Sequence, residues 1–313
     1  MKEVESGTNL PAQLQALKER LRTVLPEEYQ DRYEDVQPVS MGSAGLQYDA
    51  AGKVAWDQIW DHFCDLAMAG GPPHKGKLLE PAPPTDIAAN PDRHYNVVKE
   101  ICRAVRMVST LAVAPSSTPG WVSLMCDEPV MAAWLVRAIT MENVSARLIE
   151  SDVEVPAGPH FRLEKEIKNV VTSVAKTFHY FDGHIMPAQQ RRIAALFAES
   201  KEPLLQPCYL GEFSPESVLA AKSAASDAIL QATGLPSGGA VYTGWLGLEC
   251  PSVRMAIWMM RALVAGNTLS RREHRFLYVP IHPKLDPAGT RVAALVSSVY
   301  SLAVAAGVSQ YRD

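Results

Sequence analysis

The sequence predicts an α/β protein made of two α-β-α-β-α units related by a pseudo-twofold, preceded by a helical and hairpin extension. Two observations carry this expectation. Residues 120–159 and 244–283 align without a gap at a shift of 124 residues and share 14 of 40 positions. In addition, four of the six tryptophans fall in matched pairs, Trp121 with Trp245 and Trp134 with Trp258. Fixed-period self-similarity of this kind reads as an internal duplication.

The elements follow from the aligned segments. GWVSLMC at 120–126 and GWLGLEC at 244–250 are short apolar runs bounded by turn residues, which reads as buried strands. Apolar residues then recur at helical spacing over 129–142 and 252–265, and Asn143 and Gly266-Asn267 stand where helices stop. Second strands are expected over 147–155 and 275–281, followed by helices over about 163–180 and 289–306. Helices over about 94–112 and 215–233 complete each unit. Strand, helix, strand in this order implies a parallel pair joined by a right-handed crossover.

These elements divide the chain into an extension at 1–92, a first unit at 93–181, a connection at 182–214 and a second unit at 215–313. The extension holds an amphipathic helix that stops before Pro26, a hairpin around Asp49–Gly52 and a helix from Trp56 to about Met68. Residues 70–92 are rich in proline and glycine and have no counterpart in the second unit. A connection of that length suggests a functional loop or a flexible linker. The connection at 182–214 holds a helix over 188–199.

Composition narrows the function classes. Net charge is −4 and the 30 lysines and arginines are scattered, which argues against a nucleic-acid partner. No apolar run reaches the length of a membrane span, and the first residues lack the apolar core of a signal peptide. Five widely spaced cysteines form no CxxC pair, so reduced thiols and a cytoplasmic location are expected.

Several residues could carry chemistry. Cys126 and Cys250 each close a strand just before a helix, where free N–H groups favour a thiolate. The alternative is a small residue packing a strand end. Paired thiols from two related halves would suit a cofactor-independent isomerase that uses one as acid and the other as base. Arg137 and Arg261, matched and each three residues after a tryptophan, could form a structural stack or grip an anion. His74, Lys75 and Lys77 lie in a Gly/Pro-rich loop (GGPPHKGK) able to offer N–H groups and positive charge to a phosphate or carboxylate. His282 is aligned with Gly158 and so belongs to one half alone. The clusters His179, Asp182, His184 and Asp61, His62, Cys64, Asp65 match no established metal motif, so no metal and no cofactor is assigned.

The leading expectation is a small-molecule enzyme or metabolic accessory protein. It would bind an anionic ligand at the carboxyl ends of the strands, near the junction of the halves. The alternative is a non-catalytic binding or assembly protein with a purely structural duplicated core and a homo-oligomer contact through its N-terminal helix.

Overall fold

A computed structural model describes residues 9–31, 45–60 and 65–308 of the chain. It is a mixed helix-and-strand fold with two small antiparallel sheets. Among the described residues no helix is long and apolar enough to cross a membrane.

Helix α1 (Leu10–Val24) begins where the Asn9 side chain accepts the Ala12 N–H at 3.3 Å and stops ahead of Pro26. Its apolar stripe, Leu17, Leu21 and Val24, is buried within the chain. The expected hairpin forms around Asp49, whose Oδ1 accepts the N–H groups of Ala51 and Lys53, each at 2.9 Å. The helix expected over 56–68 does not form as one element. Short 3-10 turns occupy Trp56–Gln58 and Ala67–Ala69, and Asp61, His62 and Cys64 lie outside the described residues. The second turn ends at Gly70, whose φ of 99° reverses the chain and is easily reached only by glycine.

Helices α2 (Pro84–Ala89) and α3 (Pro91–Val108) lead to strands β1 (Ala112–Pro115) and β2 (Trp121–Met125). Helix α4 (Pro129–Met141) is apolar on nearly every side and is correspondingly buried, with Trp134 to Met141 all inside. Strands β3 (Arg147–Ile149) and β4 (Asp152–Pro156) follow, and the sheet order is β1-β2-β4-β3. A π-helical turn at Leu163–Ile167 opens α5 (Lys168–His184), and α6 (Pro187–Ala198) closes this part. Helices α7 (Pro215–Thr233), α8 (Val253–Ala265) and α9 (Thr290–Ala305) then surround strands β5 (Trp245–Glu249), β6 (Arg271–Glu273) and β7 (Phe276–Pro280), in the order β5-β7-β6.

The bounds of β2, α4, β3 and β4 recur 124 residues later in β5, α8, β6 and β7. The registers match too, Trp121 opposite Pro156 and Trp245 opposite Pro280. So do the left-handed bends, Asn143 with Asn267 and Glu150 with His274.

The strand arrangement corrects the expected parallel pair. The single strand read over 147–155 is a hairpin, bent at Glu150, and its returning arm β4 inserts between β2 and β3. Thus β2 and β3 run in the same direction, as a crossover helix requires, but every neighbouring pair is antiparallel. Strand β6 escaped notice because RRE is not an apolar run; its three residues are nonetheless buried.

Within the loop at 70–92, residues 78–82 have a counterpart. Leu79 bridges Val144 and Leu205 bridges Thr268, both in parallel. Ala82 N–H donates to Ala157 O at 3.1 Å, and Cys208 N–H donates to Ile281 O at 2.9 Å. Residues 78–81 (LLEP) and 204–207 (LLQP) thus occupy equivalent places at a spacing of 126, which a gapless comparison at 124 hides. The buried apolar residues form one continuous core across both sets of elements.

Gly247 lies where a Cβ would meet Gly238 O at 2.1 Å, whereas its counterpart in β2 is Ser123. Gly247→Ser is therefore expected to lower stability by about 1–3 kcal/mol through overpacking. Denaturant unfolding measures this, with Ser123→Gly as the comparison that leaves the backbone uncrowded.

Candidate functional site

The polar interior of the protein is concentrated where the C-terminal ends of α4 and its following turn meet β6. Glu142 stands at its centre, fully buried with Lys176 of α5. One carboxylate oxygen lies 2.8 Å from Lys176 Nζ and accepts the Ala67 N–H at 3.0 Å; the other accepts the His74 N–H at 2.8 Å. Within the GGPPHKGK loop the His74 N–H thus meets the chain's own Glu142 carboxylate. His74 Nε2 pairs with Asn169 Oδ1 at 3.1 Å, and burial pushes the imidazole down to about 4, so it is neutral at pH 7. Burial also lowers Lys75, while Lys77 is exposed.

Asn143 carries the network into the second set of elements. Its Nδ2 donates to Lys75 O and Arg272 O, both at 2.8 Å, and its Oδ1 accepts from Arg271 Nη1 at 3.1 Å. Arg272 donates to Gly71 O at 3.2 Å and is pushed down to about 10 by burial, against the opposing pull of Glu142.

Arg271 is 0 % exposed. Its guanidinium carbon lies 4.0 Å from the Tyr278 ring centre, 4.5 Å from that of Tyr242 and 5.1 Å from that of Trp245. Glu273 Oε1 meets Arg271 Nη1 at 2.8 Å and accepts the Tyr242 hydroxyl at 2.5 Å and the Leu78 N–H at 3.1 Å. No acceptor among the described residues reaches Arg271 Nε or Nη2, nor Trp245 Nε1, and all three are buried. Burial lowers the Arg271 pKa, the response of a cation incompletely compensated.

The matched arginine shows what is missing. Arg147, 124 residues earlier, lies 4.4 Å from the Trp121 ring centre. Both its Nε and Nη2 meet Glu154 Oε2 at 2.6 Å, and its Nη1 meets Glu212 Oε1 at 2.6 Å. Arg147 faces Glu154 across the β3–β4 ladder, but Arg271 faces Tyr278 across the β6–β7 ladder. Tyrosine thus stands where the carboxylate that saturates Nε and Nη2 would be. Nearby, Glu80 is half-buried and its carboxyl is pushed up by burial, against the lowering influence of Arg271 and Lys222. Lys222 is itself lowered by burial and donates to Tyr242 O at 2.6 Å.

The other sequence candidates lie elsewhere. Cys250 is 1 % exposed and burial pushes its thiol up to about 12. Cys126 is half-buried and is also pushed up to about 12, by burial first and then by Asp152 and Asp127. In both, burial is the largest influence and it disfavours the thiolate. Arg137 is buried and saturated, donating to Val264 O at 3.3 Å, Ala133 O at 2.5 Å and Asn267 Oδ1 at 3.0 Å, with Phe197 stacked at 3.8 Å. Arg261 donates to Ala69 O at 3.1 Å and lines a cleft of about 170 Å³ with Lys18 and Arg254. His282 caps a turn, its Nδ1 accepting from Lys284 and Leu285 N–H groups at 3.3 Å. His184 lies 3.2 Å from His179 and 2.8 Å from Glu28. Among the described residues no group of three or more potential ligands could hold a metal ion.

Sequence reading therefore missed Glu142, Asn143, Lys176, Arg271 and Glu273. The aligned pair Arg147 and Arg271 was visible, but only the change from Glu154 to Tyr278 at the facing positions signals that one arginine has lost its partner.

Removing one member of the Glu142–Lys176 pair leaves the other charge buried and uncompensated. Glu142→Gln and Lys176→Met are each expected to cost about 3–5 kcal/mol, and the double variant less than the sum. A double-mutant cycle by denaturant unfolding measures the coupling.

No family model matches the chain, and neither a curated protein nor a solved structure matches it.

Proposed function

We propose that this protein binds a small anionic molecule at the junction between its two sets of elements, with Arg271 holding the oxyanion through Nε and Nη2. The observation that carries this reading is the contrast with Arg147, whose same two nitrogens are occupied by Glu154. A carboxylate, phosphate or sulfate oxygen would supply at Arg271 what Glu154 supplies at Arg147. The charge balance supports it. Lys176, Arg271 and Arg272 are buried cations, and the buried carboxylates beside them are Glu142 and Glu273. Trp245 Nε1 adds a further donor on the same side of the network.

Both sets of elements contribute, Asn143 and Leu78 from the first and Arg271, Glu273 and Tyr242 from the second. We read the two sets as descendants of one duplicated unit related by a pseudo-twofold. The 124-residue recurrence of bounds, registers and bends supports this. So do equivalent contacts: Ala82 N–H donates to Ala157 O at 3.1 Å and Cys208 N–H donates to Ile281 O at 2.9 Å. In this reading Arg147 keeps the self-satisfied arrangement, and Arg271 is the position that changed to take a ligand.

If the protein is an enzyme, Glu80 is the better candidate for proton transfer than Cys126 or Cys250. Burial raises its carboxyl against the lowering influence of Arg271 and Lys222, whereas neither cation is among the charges acting on the two thiols. A purely structural core, by contrast, would be indifferent to anions.

Inorganic phosphate at about a hundred times its Kd is expected to stabilise the protein by about 2.7 kcal/mol. Arg271→Met should abolish that shift. Because a buried arginine can matter to folding, Trp245→Phe serves as the second variant: it keeps an aromatic ring, removes one donor and should weaken the shift. Stabilisation that persists in a folded Arg271→Met protein, or its absence in the unaltered protein, contradicts the proposal.

A further inference from the structure

Arg271 is fully buried, so a ligand reaches it only if a covering group moves. Three rings cover the guanidinium. Trp245 and Tyr278 belong to β5 and β7, which pair over five residues. Tyr242 belongs to an irregular segment.

The equivalent segment in the first set is β1, which pairs with β2 at four consecutive positions. In the second set this ladder shrinks to the isolated bridges Ser237 with Leu248 and Tyr242 with Trp245. Between them, Gly238 N–H donates to Gly247 O at 2.9 Å, and the Ala240 N–H donates to the Tyr278 hydroxyl at 2.7 Å. Gly239 has a φ of 87°, and Val241 is 92 % exposed. Outside, Lys222 Nζ straps Tyr242 O. The segment is thus a strap held by a few hydrogen bonds, each contributing on the order of 1 kcal/mol net. Local opening of such a strap is far less costly than unfolding.

A cleft of about 380 Å³ lies on the outer side of this strap, between it and α7. Such a volume suits a small metabolite. Ser223, Ser226 and Ser237 line it together with Lys222 and Asp227, and Leu219, Val241, Trp245 and Leu246 form its apolar wall. Three hydroxyls, an ammonium and the Asp227 carboxylate beside an apolar wall suit a sugar, whose hydroxyls donate to the carboxylate and whose ring face packs on the apolar side.

Resting on the anion site proposed above, we infer that this cleft is the outer compartment of the Arg271 site and takes the hydroxylated part of a sugar-phosphate-sized ligand. Residues 238–242 lift to admit the oxyanion to Arg271. Tyr242 links the two compartments, since its hydroxyl holds Glu273 and its carbonyl holds Lys222.

Calorimetric titration of the full chain with inorganic phosphate, ribose and ribose 5-phosphate tests this inference. Ribose 5-phosphate should bind at least about tenfold more tightly than phosphate, and ribose alone should give no measurable heat. Ser223→Trp, at an exposed position of α7, fills the cleft and should bring ribose 5-phosphate down to the affinity of phosphate. Hydrogen exchange should be faster at Gly239–Thr243 than in β5 and should slow when either phosphate binds. Equal affinities for phosphate and ribose 5-phosphate, or a tenfold preference that survives Ser223→Trp, overturns the outer compartment. Exchange at Gly239–Thr243 as slow as in β5 without ligand overturns the strap. Phosphate binding that does not depend on Arg271 overturns the anion site itself, a separate outcome.

Discussion

The interior of this protein is organised by one carboxylate. Glu142 is fully buried, and isolated burial of such a charge is prohibitive. Its acceptance of Lys176 and of two backbone N–H groups makes the charge tolerable, and these partners come from two parts of the chain, α5 and the loop that holds Ala67 and His74. Lys176 fixes α5 against the end of α4. Ala67 and His74 fix the otherwise irregular loop beneath them. Because that loop runs on into Leu78 and Leu79, its placement also delivers the Leu78 N–H to Glu273 and the Leu79 N–H to Asn143 O.

From this point the network passes through neighbouring residues, Glu142 to Asn143 on one side and Arg272 to Arg271 on the other. The matched position in the second set of elements is Gly266 for Glu142. The charged centre is therefore one-sided, although the scaffold around it recurs. Two rather similar frames thus have different interiors. One has Arg147 saturated by glutamates; the other has Arg271 enclosed by aromatic rings and served by a single carboxylate. In a low-dielectric interior, that difference leaves Arg271 Nε and Nη2 buried with no acceptor among the described residues.

Much of the scaffold was legible in the sequence. The tryptophan pairs, the apolar runs and the helical periodicity located β2, β5, α4 and α8 to within about two residues, because burial on both faces leaves an unmistakable apolar signature. The sheets were less legible. The hairpin at Glu150 has neither glycine nor proline to mark it, and β6 is composed of charged residues whose burial depends on partners far away in the chain. The site was least legible of all. Arg137 and Arg261 stood out for their matched tryptophans, yet Arg137 is saturated by backbone carbonyls. Arg271 is distinguished only by what its facing residue no longer supplies. That is a property of strand register, and the sequence shows it only once the antiparallel pairing is known.

The most direct test of this organisation is native-state hydrogen exchange at the amides of Ala67, His74 and Leu78. If Glu142 and Glu273 bind the loop into the junction, these three amides exchange as slowly as the interior of α4 and are released only on global unfolding. Exchange at the rate of an exposed loop, with α4 still protected, would contradict the account.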